Sequence, residues 1–185
     1  MNLKQLNILL ADDDADDCFF FRKALEAFPL STPLVVVHDG EQLMQLLATT
    51  TNELPDVLFL DLNMPRKNGF ECLAEMRLSE KLKKLPIIVF STSFEQEVIN
   101  QLYLNGAQYF IRKPSEFSQY KKIILHALTL IAEGLPTDTD GNILQPAKEK
   151  FVLTVQNDEA QPNHSEGRES KNTNSAPPGN NVGGK

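Results

Sequence analysis

Val57-Leu58-Phe59-Leu60 is an unbroken apolar run that stops on Asp61. Four residues led by a β-branched side chain are too few for a buried helix. They suit a short strand covered on both faces, as in a parallel sheet. A carboxylate placed directly after such a run belongs at the mouth of the sheet, because burying it without a partner is costly. Pro65 pushes Met64 toward an extended or turn conformation, and Gly69 gives the chain freedom to swing into a following helix. The stretch therefore presents one acid at the lip of a sheet, held on a stiff turn.

The same pattern repeats along the chain. Ile8-Leu9-Leu10-Ala11 is a short apolar run that ends in Asp12-Asp13-Asp14. A helix follows, with Phe21, Ala24, Leu25 and Phe28 at helical spacing and Pro29 closing it. Asp14 suits its N-cap, and Asp16 and Asp17 suit the positive end of its dipole. Leu34 to Val37 reads as a strand, and the helix after Asp39-Gly40 carries Leu43, Met44, Leu46 and Leu47. A third helix spans about Phe70 to Ser79, and Lys81, Lys83 and Lys84 read as a solvated basic loop. Pro86 to Phe90 is a strand ending in Ser91-Thr92-Ser93. Glu95 to Asn105 is helical and stops at Gly106. Tyr109 to Ile111 is a strand ending in Arg112-Lys113-Pro114, and a last helix runs from about Glu116 to Glu133. Five strands, each followed by a helix, predict an α/β domain with a parallel sheet covered on both faces.

In such sheets ligands bind beyond the carboxyl ends of the strands. The residues just past four of those ends are Asp12 and Asp13, Asp61, Ser91 and Lys113. Carboxylates gathered at one lip repel by roughly 4 kcal/mol per pair at ~4 Å and an effective dielectric near 20. A cation relieves that repulsion, and an all-oxygen donor set suits Mg²⁺. An ionised carboxylate beside the metal can act as a nucleophile and form an aspartyl phosphate. Metal, the ammonium of Lys113 and the hydroxyl of Ser91, with Thr92 or Ser93 as substitute donors, would answer the charge on the phosphoryl oxygens.

From Asn7 to about Glu133 the chain resembles a response-regulator receiver domain of two-component signalling. The resemblance rests on Asp12-Asp13, on Asp61-Leu62-Asn63-Met64-Pro65 with Gly69, on Ser91 thirty residues after Asp61, and on Lys113-Pro114 twenty-two after Ser91. It implies a doubly wound, flavodoxin-like (βα)5 fold with strand order 2-1-3-4-5. It also implies Asp61 as phosphoacceptor and Asp13 and Asp61 as direct Mg²⁺ ligands. Asp12 would act through water, and the Asn63 backbone carbonyl would be a further ligand. Lys113 would be the phosphoryl counter-ion, Ser91 the switch hydroxyl, and Phe110 the aromatic that changes rotamer with it. The bond before Pro114 would be cis. A histidine kinase or histidine phosphotransfer domain would donate the phosphoryl group. A downstream target protein would read the result, and homodimerisation through the fourth helix, fifth strand and fifth helix would be open to it.

Single residues separate this reading from two rivals. An aspartate-nucleophile phosphohydrolase needs an acid two residues after the nucleophile, and Asn63 cannot serve as one; no external-substrate enzyme is expected. A degenerate receiver acting as a phosphorylation-independent binding module would lack Asp61, Lys113 or the acidic pair, and all are present. The net charge of −7 argues against nucleic acid. Cys18 and Cys72 form no metal or disulfide pattern, and His38, His126 and His164 are scattered. With no signal-like leader and no apolar run near the ~20 residues of a membrane span, a cytoplasmic protein without membrane partners is expected.

Composition shifts after Glu133. Residues 134–185 hold five of the 11 prolines and six of the 9 glycines, which divides the chain into a receiver over 1–133 and a mostly disordered extension over 134–185, disorder being firmest from Asn157 on. Asp138-Thr139-Asp140-Gly141 only superficially matches a calcium loop, because the closing bidentate acid would fall on Ala147. Lys150 to Val155 is β-prone and could extend a sheet edge, its own or a partner's. No output domain is recognisable after the receiver, so a single-domain regulator working by protein contact is expected.

Overall fold

The computed structural model describes residues 6–28, 32–51 and 53–155. Five βα units build it: β1 (Ile8–Ala11), α1 (Ala15–Glu26), β2 (Leu34–Val37), α2 (Gly40–Thr49), β3 (Val57–Leu60), α3 (Gly69–Leu78), β4 (Ile87–Ser91), α4 (Gln96–Leu104), β5 (Tyr109–Arg112) and α5 (Phe117–Glu133). All strand pairs are parallel, and the order β2-β1-β3-β4-β5 is the expected one. A sixth strand, β6 (Val152–Leu153), lies outside β5.

Alternation along each strand divides the core into two layers. Leu9, Ala11, Leu58, Leu60, Ile87, Val89 and Phe110 meet Leu43 and Leu47 of α2, Leu73 and Met76 of α3, and Ile99 and Leu102 of α4. Leu10, Phe59, Ile88, Phe90 and Ile111 meet Phe21 and Ala24 of α1 and Tyr120, Ile124 and Leu128 of α5. Within this second layer Phe21, Phe59, Phe90 and Tyr120 stack edge to face, with centroids 4.8 Å (Phe21–Phe59), 6.2 Å (Phe59–Phe90) and 5.2 Å (Phe90–Tyr120) apart. Such pairs contribute about 0.5–1.5 kcal/mol each beyond their burial. Phe59 and Phe90 precede the carboxyl ends of β3 and β4, so the cluster packs close to where those strands stop.

Helix ends follow local chemistry. Asp14 caps α1 by accepting from the backbone N–H of Asp16 and Asp17. Asn68 and Glu71 form a reciprocal capping box on α3. Gly106, at φ +84°, ends α4 while its N–H bonds to the Tyr103 carbonyl.

The first part of the extension packs on the domain. Residues 134–155 leave α5, bridge Thr137 to Ile143, pass a 3-10 turn over Lys148–Lys150 and dock as β6. Phe110 and Ile111 pair in parallel with Val152 and Leu153, so the β-prone segment adds to the chain's own sheet. Phe151 is 1 % exposed and stacks on Tyr103, whose hydroxyl donates to the Pro146 carbonyl. Apolar burial at Phe151 and Leu153 explains why these residues pack despite the Gly- and Pro-rich composition around them. The disorder expected from Asn157 on concerns residues outside those described. No helix among the described residues is long and apolar enough to cross a membrane.

Candidate functional site

Three loops, at the carboxyl ends of β1, β3 and β5, converge. Asp12 follows β1, and its Oδ1 accepts from the Asp14 N–H at 3.1 Å. Asp61 follows β3, and its Oδ2 accepts from the Asn63 N–H at 2.7 Å. The loop then folds back so that the Gly69 N–H reaches the Leu62 carbonyl. Gly69 is required here for space rather than for a left-handed backbone: a Cβ would lie 2.2 Å from the Asp61 carbonyl oxygen. The left-handed residue of this loop is Arg66, at φ 65°, and its guanidinium lies 2.8 Å from the buried Asp39 carboxylate at the start of α2.

Lys113, at the end of β5, bridges the acids. Its backbone N–H donates to the Ser91 carbonyl at the end of β4. Its ammonium lies 2.7 Å from Asp12 Oδ2, 3.1 Å from Asp61 Oδ1 and 2.7 Å from Asp17 Oδ2. The face of Phe90 lies 5.7 Å from the same nitrogen. Oxygens of Asp12, Asp13 and Asp61 all lie within 4.8 Å of one another. Asp12 is 1 % and Asp61 5 % exposed, while Asp13 faces solvent.

Burial pushes the Asp12 carboxyl up to about 6, against the pull of Lys113. Burial works against the charge on Lys113, but Asp12, Asp17 and Asp61 outweigh it and hold the ammonium's pKa above the ordinary lysine value. Three carboxylates sharing one ammonium leave an excess of negative charge. The donor set is all oxygen, and it suits a hard divalent cation.

The expected residues do not all meet. Asp12, Asp13, Asp61 and Lys113 come together. Ser91 is fully buried one strand over, and its hydroxyl is engaged with the Ser93 N–H at 3.4 Å. Thr92 is exposed, and so is the Asn63 side chain, whose backbone N–H holds Asp61. Phe110 is buried in the layer holding Leu102 and Phe151, on the opposite side of β5 from the acids. Phe94 lies over it at 6.1 Å, half exposed and capped by the Arg112 guanidinium at 5.3 Å. The expected cis bond before Pro114 is not found: the described residues contain no cis peptide. Trans is the intrinsic preference of an X–Pro bond by about 0.5–1 kcal/mol, and Lys113 reaches all three acids with the trans bond in place.

Asp17 is the residue that sequence reasoning did not assign here. Its first-turn position accounts for it as a dipole partner, yet it spans the mouth to Lys113. The available signal was excess: Asp16 and Asp17 both occupy the first turn, where one acid would serve the dipole. His38, read as unconnected, places Nδ1 3.1 Å from the Asp12 carbonyl.

The family model for the response regulator receiver domain matches residues 8–125. The chain belongs to that family. Among curated relatives of this receiver, the response regulator Rcp1 of Synechocystis sp. is 26 % identical over 121 residues, covering 63 % of this chain and 82 % of the relative. The two-component response regulator ARR17 of Arabidopsis thaliana is 27 % identical over 134 residues, covering 68 % and 86 %. Among solved structures, the phosphorylated cyanobacterial phytochrome response regulator RcpA superposes with a TM-score of 0.66 at 29 % identity, over 71 % of this chain and 97 % of that one. The acidic pocket of Asp12, Asp13 and Asp61 fits the phosphoaspartate and metal site of such domains.

Proposed function

We propose that this receiver is a phosphorylation-activated response regulator of a two-component phosphorelay. Asp61 accepts the phosphoryl group: a carboxylate oxygen forms the new bond to phosphorus while the phosphorus–nitrogen bond to the donor's histidine breaks, its electron pair returning to the imidazole. The donor is a histidine kinase or a histidine phosphotransfer domain. Asp13, Asp61 and the Asn63 carbonyl would hold Mg²⁺, with Asp12 acting through water; when bound, the ion neutralises phosphoryl charge. Lys113 supplies the second cation, and Ser91, with Thr92 beside it, donates to the phosphoryl oxygens.

The observation that carries this reading is the Lys113 ammonium, 3.1 Å from a buried Asp61 whose other oxygen is already fixed by the Asn63 N–H. That geometry leaves one cation and one oriented oxygen at the same spot. Phosphorylation would draw Ser91 inward and repack Phe110 beneath Phe94, altering the face of α4, β5 and α5 that a downstream target protein reads. A homodimer through that face would include the extension in its surface, since β6 covers the β5 edge. The protein would act in the cytoplasm as a signalling protein rather than on an external substrate.

The test is incubation with a small phosphodonor and Mg²⁺, followed by mass spectrometry of the tryptic peptide holding Asp61. A hydroxylamine-labile phosphoryl adduct is expected, and Asp61→Asn abolishes it. An adduct that persists in that variant refutes the assignment. No adduct in the unmutated protein, under conditions where Mg²⁺ binds, would leave a phosphorylation-independent binding module.

A further inference from the structure

We propose that Asp17 is a positioning residue for Lys113, holding the ammonium on the first turn of α1 until a phosphoryl group on Asp61 competes for it. The inference rests on the phosphoacceptor reading above and adds a residue that sets how readily the site switches. Asp17 is not among the carboxylates gathered for a cation, which are Asp12, Asp13 and Asp61. Its one charged partner among the described residues is Lys113, 96 positions away in sequence. Of the ammonium's three acid contacts, those to Asp12 and Asp17 are the short ones at 2.7 Å, and the one to Asp61 is longer at 3.1 Å.

Asp17 is itself held firmly. The Asp14 cap accepts from its N–H at 3.0 Å, and the Tyr120 hydroxyl of α5 donates to its carbonyl at 3.2 Å. An ammonium has three N–H groups, and three acids surround this one. A phosphoryl group on Asp61 sets its oxygens beyond the carboxylate oxygen that the ammonium now meets at 3.1 Å, so the ammonium must shift to follow them and loosen its hold on another acid. On phosphorylation Asp61 itself becomes a neutral acyl oxygen and presents the phosphoryl group instead. Between the remaining two, Asp12 is 1 % exposed, whereas the Asp17 side chain is 25 % exposed. Releasing Asp12 would strand a buried charge, while water can replace the ammonium at Asp17. Asp17 is therefore the acid that lets go, and its hold on Lys113 opposes the switched state.

The probe is beryllofluoride, a tetrahedral mimic of a phosphoryl group on a carboxylate, titrated with Mg²⁺ and followed by ¹⁹F NMR. Asp17→Asn keeps the shape of the side chain and removes its charge. It is expected to tighten beryllofluoride binding about 3- to 10-fold, the scale of one charge-assisted hydrogen bond at a partly solvated acid. Asp16→Asn removes the same charge from the same helical turn without touching Lys113, and is expected to leave affinity within about twofold. In a Lys113→Ala background Asp17→Asn should have no effect. Equal tightening by Asp16→Asn, or tightening that survives without Lys113, would reduce the effect to net charge and overturn the proposal, as would unchanged affinity in Asp17→Asn. In the unmutated protein the Asp17 carboxyl ¹³C resonance should move on saturation while that of Asp16 stays, and an unmoved Asp17 also overturns it. Failure of the unmutated protein to bind beryllofluoride would strike the phosphoacceptor reading itself.

Discussion

Phe151→Ala tests whether the extension is part of the domain. The side chain is 1 % exposed, stacks edge to face on Tyr103 at 5.2 Å, and belongs to the layer that contains Phe110 and Leu102. Truncating a buried phenylalanine costs about 3–5 kcal/mol. The site lies at the edge of the sheet, where neighbours can collapse into the space, so the lower figure of about 3 kcal/mol is expected. For a domain of this size that corresponds to a fall in melting temperature of roughly 6–12 °C. The backbone consequence adds to it, because the Phe151 carbonyl accepts from the Phe110 N–H at 2.9 Å and the pairing of β6 depends on the anchor staying put. Urea unfolding of the purified protein measures the loss directly, with Leu144→Ala as the control; Leu144 is 46 % exposed and should change stability by less than about 0.5 kcal/mol. A loss below about 1 kcal/mol for Phe151→Ala would mean that the extension is not docked in solution.

Three further outcomes are expected. Burial raises the Asp12 carboxyl from 3.8 to about 6, so its contribution to stability is fully present below 3.8 and lost as pH rises through 6; with metal chelated, the unmutated protein should gain up to roughly 3 kcal/mol between pH 7 and pH 4 relative to Asp12→Asn, and a change of opposite sign refutes the assignment. Gly69→Ala, which sets a methyl 2.2 Å from the Asp61 carbonyl oxygen, should cost about 1–3 kcal/mol in urea unfolding and weaken Mg²⁺ binding by calorimetry; unchanged Mg²⁺ affinity would show that the loop accommodates the methyl. Burial pushes the Cys18 and Cys72 thiols up to about 11; both should resist an aromatic disulfide reagent at about pH 8 in the native state and react on unfolding, so that fast labelling of either would contradict the packing.

The parts of the fold legible in the sequence are those governed by short-range pattern. Apolar runs of three or four residues ending on Asp12, Asp61, Ser91 and Arg112–Lys113 mark the strand ends, and strand ends determine where an α/β sheet gathers its polar residues. Asp14 as cap and Gly106 as helix stop follow from local backbone chemistry in the same way. What was not legible depends on distant partners. Asp17 meets Lys113 across 96 residues, and the second acid in the first turn of α1 hints at a further role without naming that partner. Lys81 is exposed, as read, yet it also donates to the Leu47 and Thr50 carbonyls at the end of α2, both at 2.7 Å. Lys84, read the same way, reaches the Asp140 carbonyl. Gly69 reads in the sequence as a point of conformational freedom, whereas the fold requires it for the close passage of the Asp61 carbonyl, a long-range contact no local pattern encodes. In the extension the β-prone run Lys150–Val155 was legible as a sheet-edge segment, while the burial of Phe151 and Leu153 that anchors it depends on distant partners.

A parallel sheet that stopped at β5 would present the backbone of Tyr109–Arg112 as an open template for another chain's strand. Here that border is hemmed by β6, which is only two residues long. A neighbour arriving at the outer side of so short a strand finds little to copy. A proteolytic product cut behind α5 would lose the hem and is expected to self-associate more than the intact chain in sedimentation; equal sedimentation of the two would show that the β5 border is no such template.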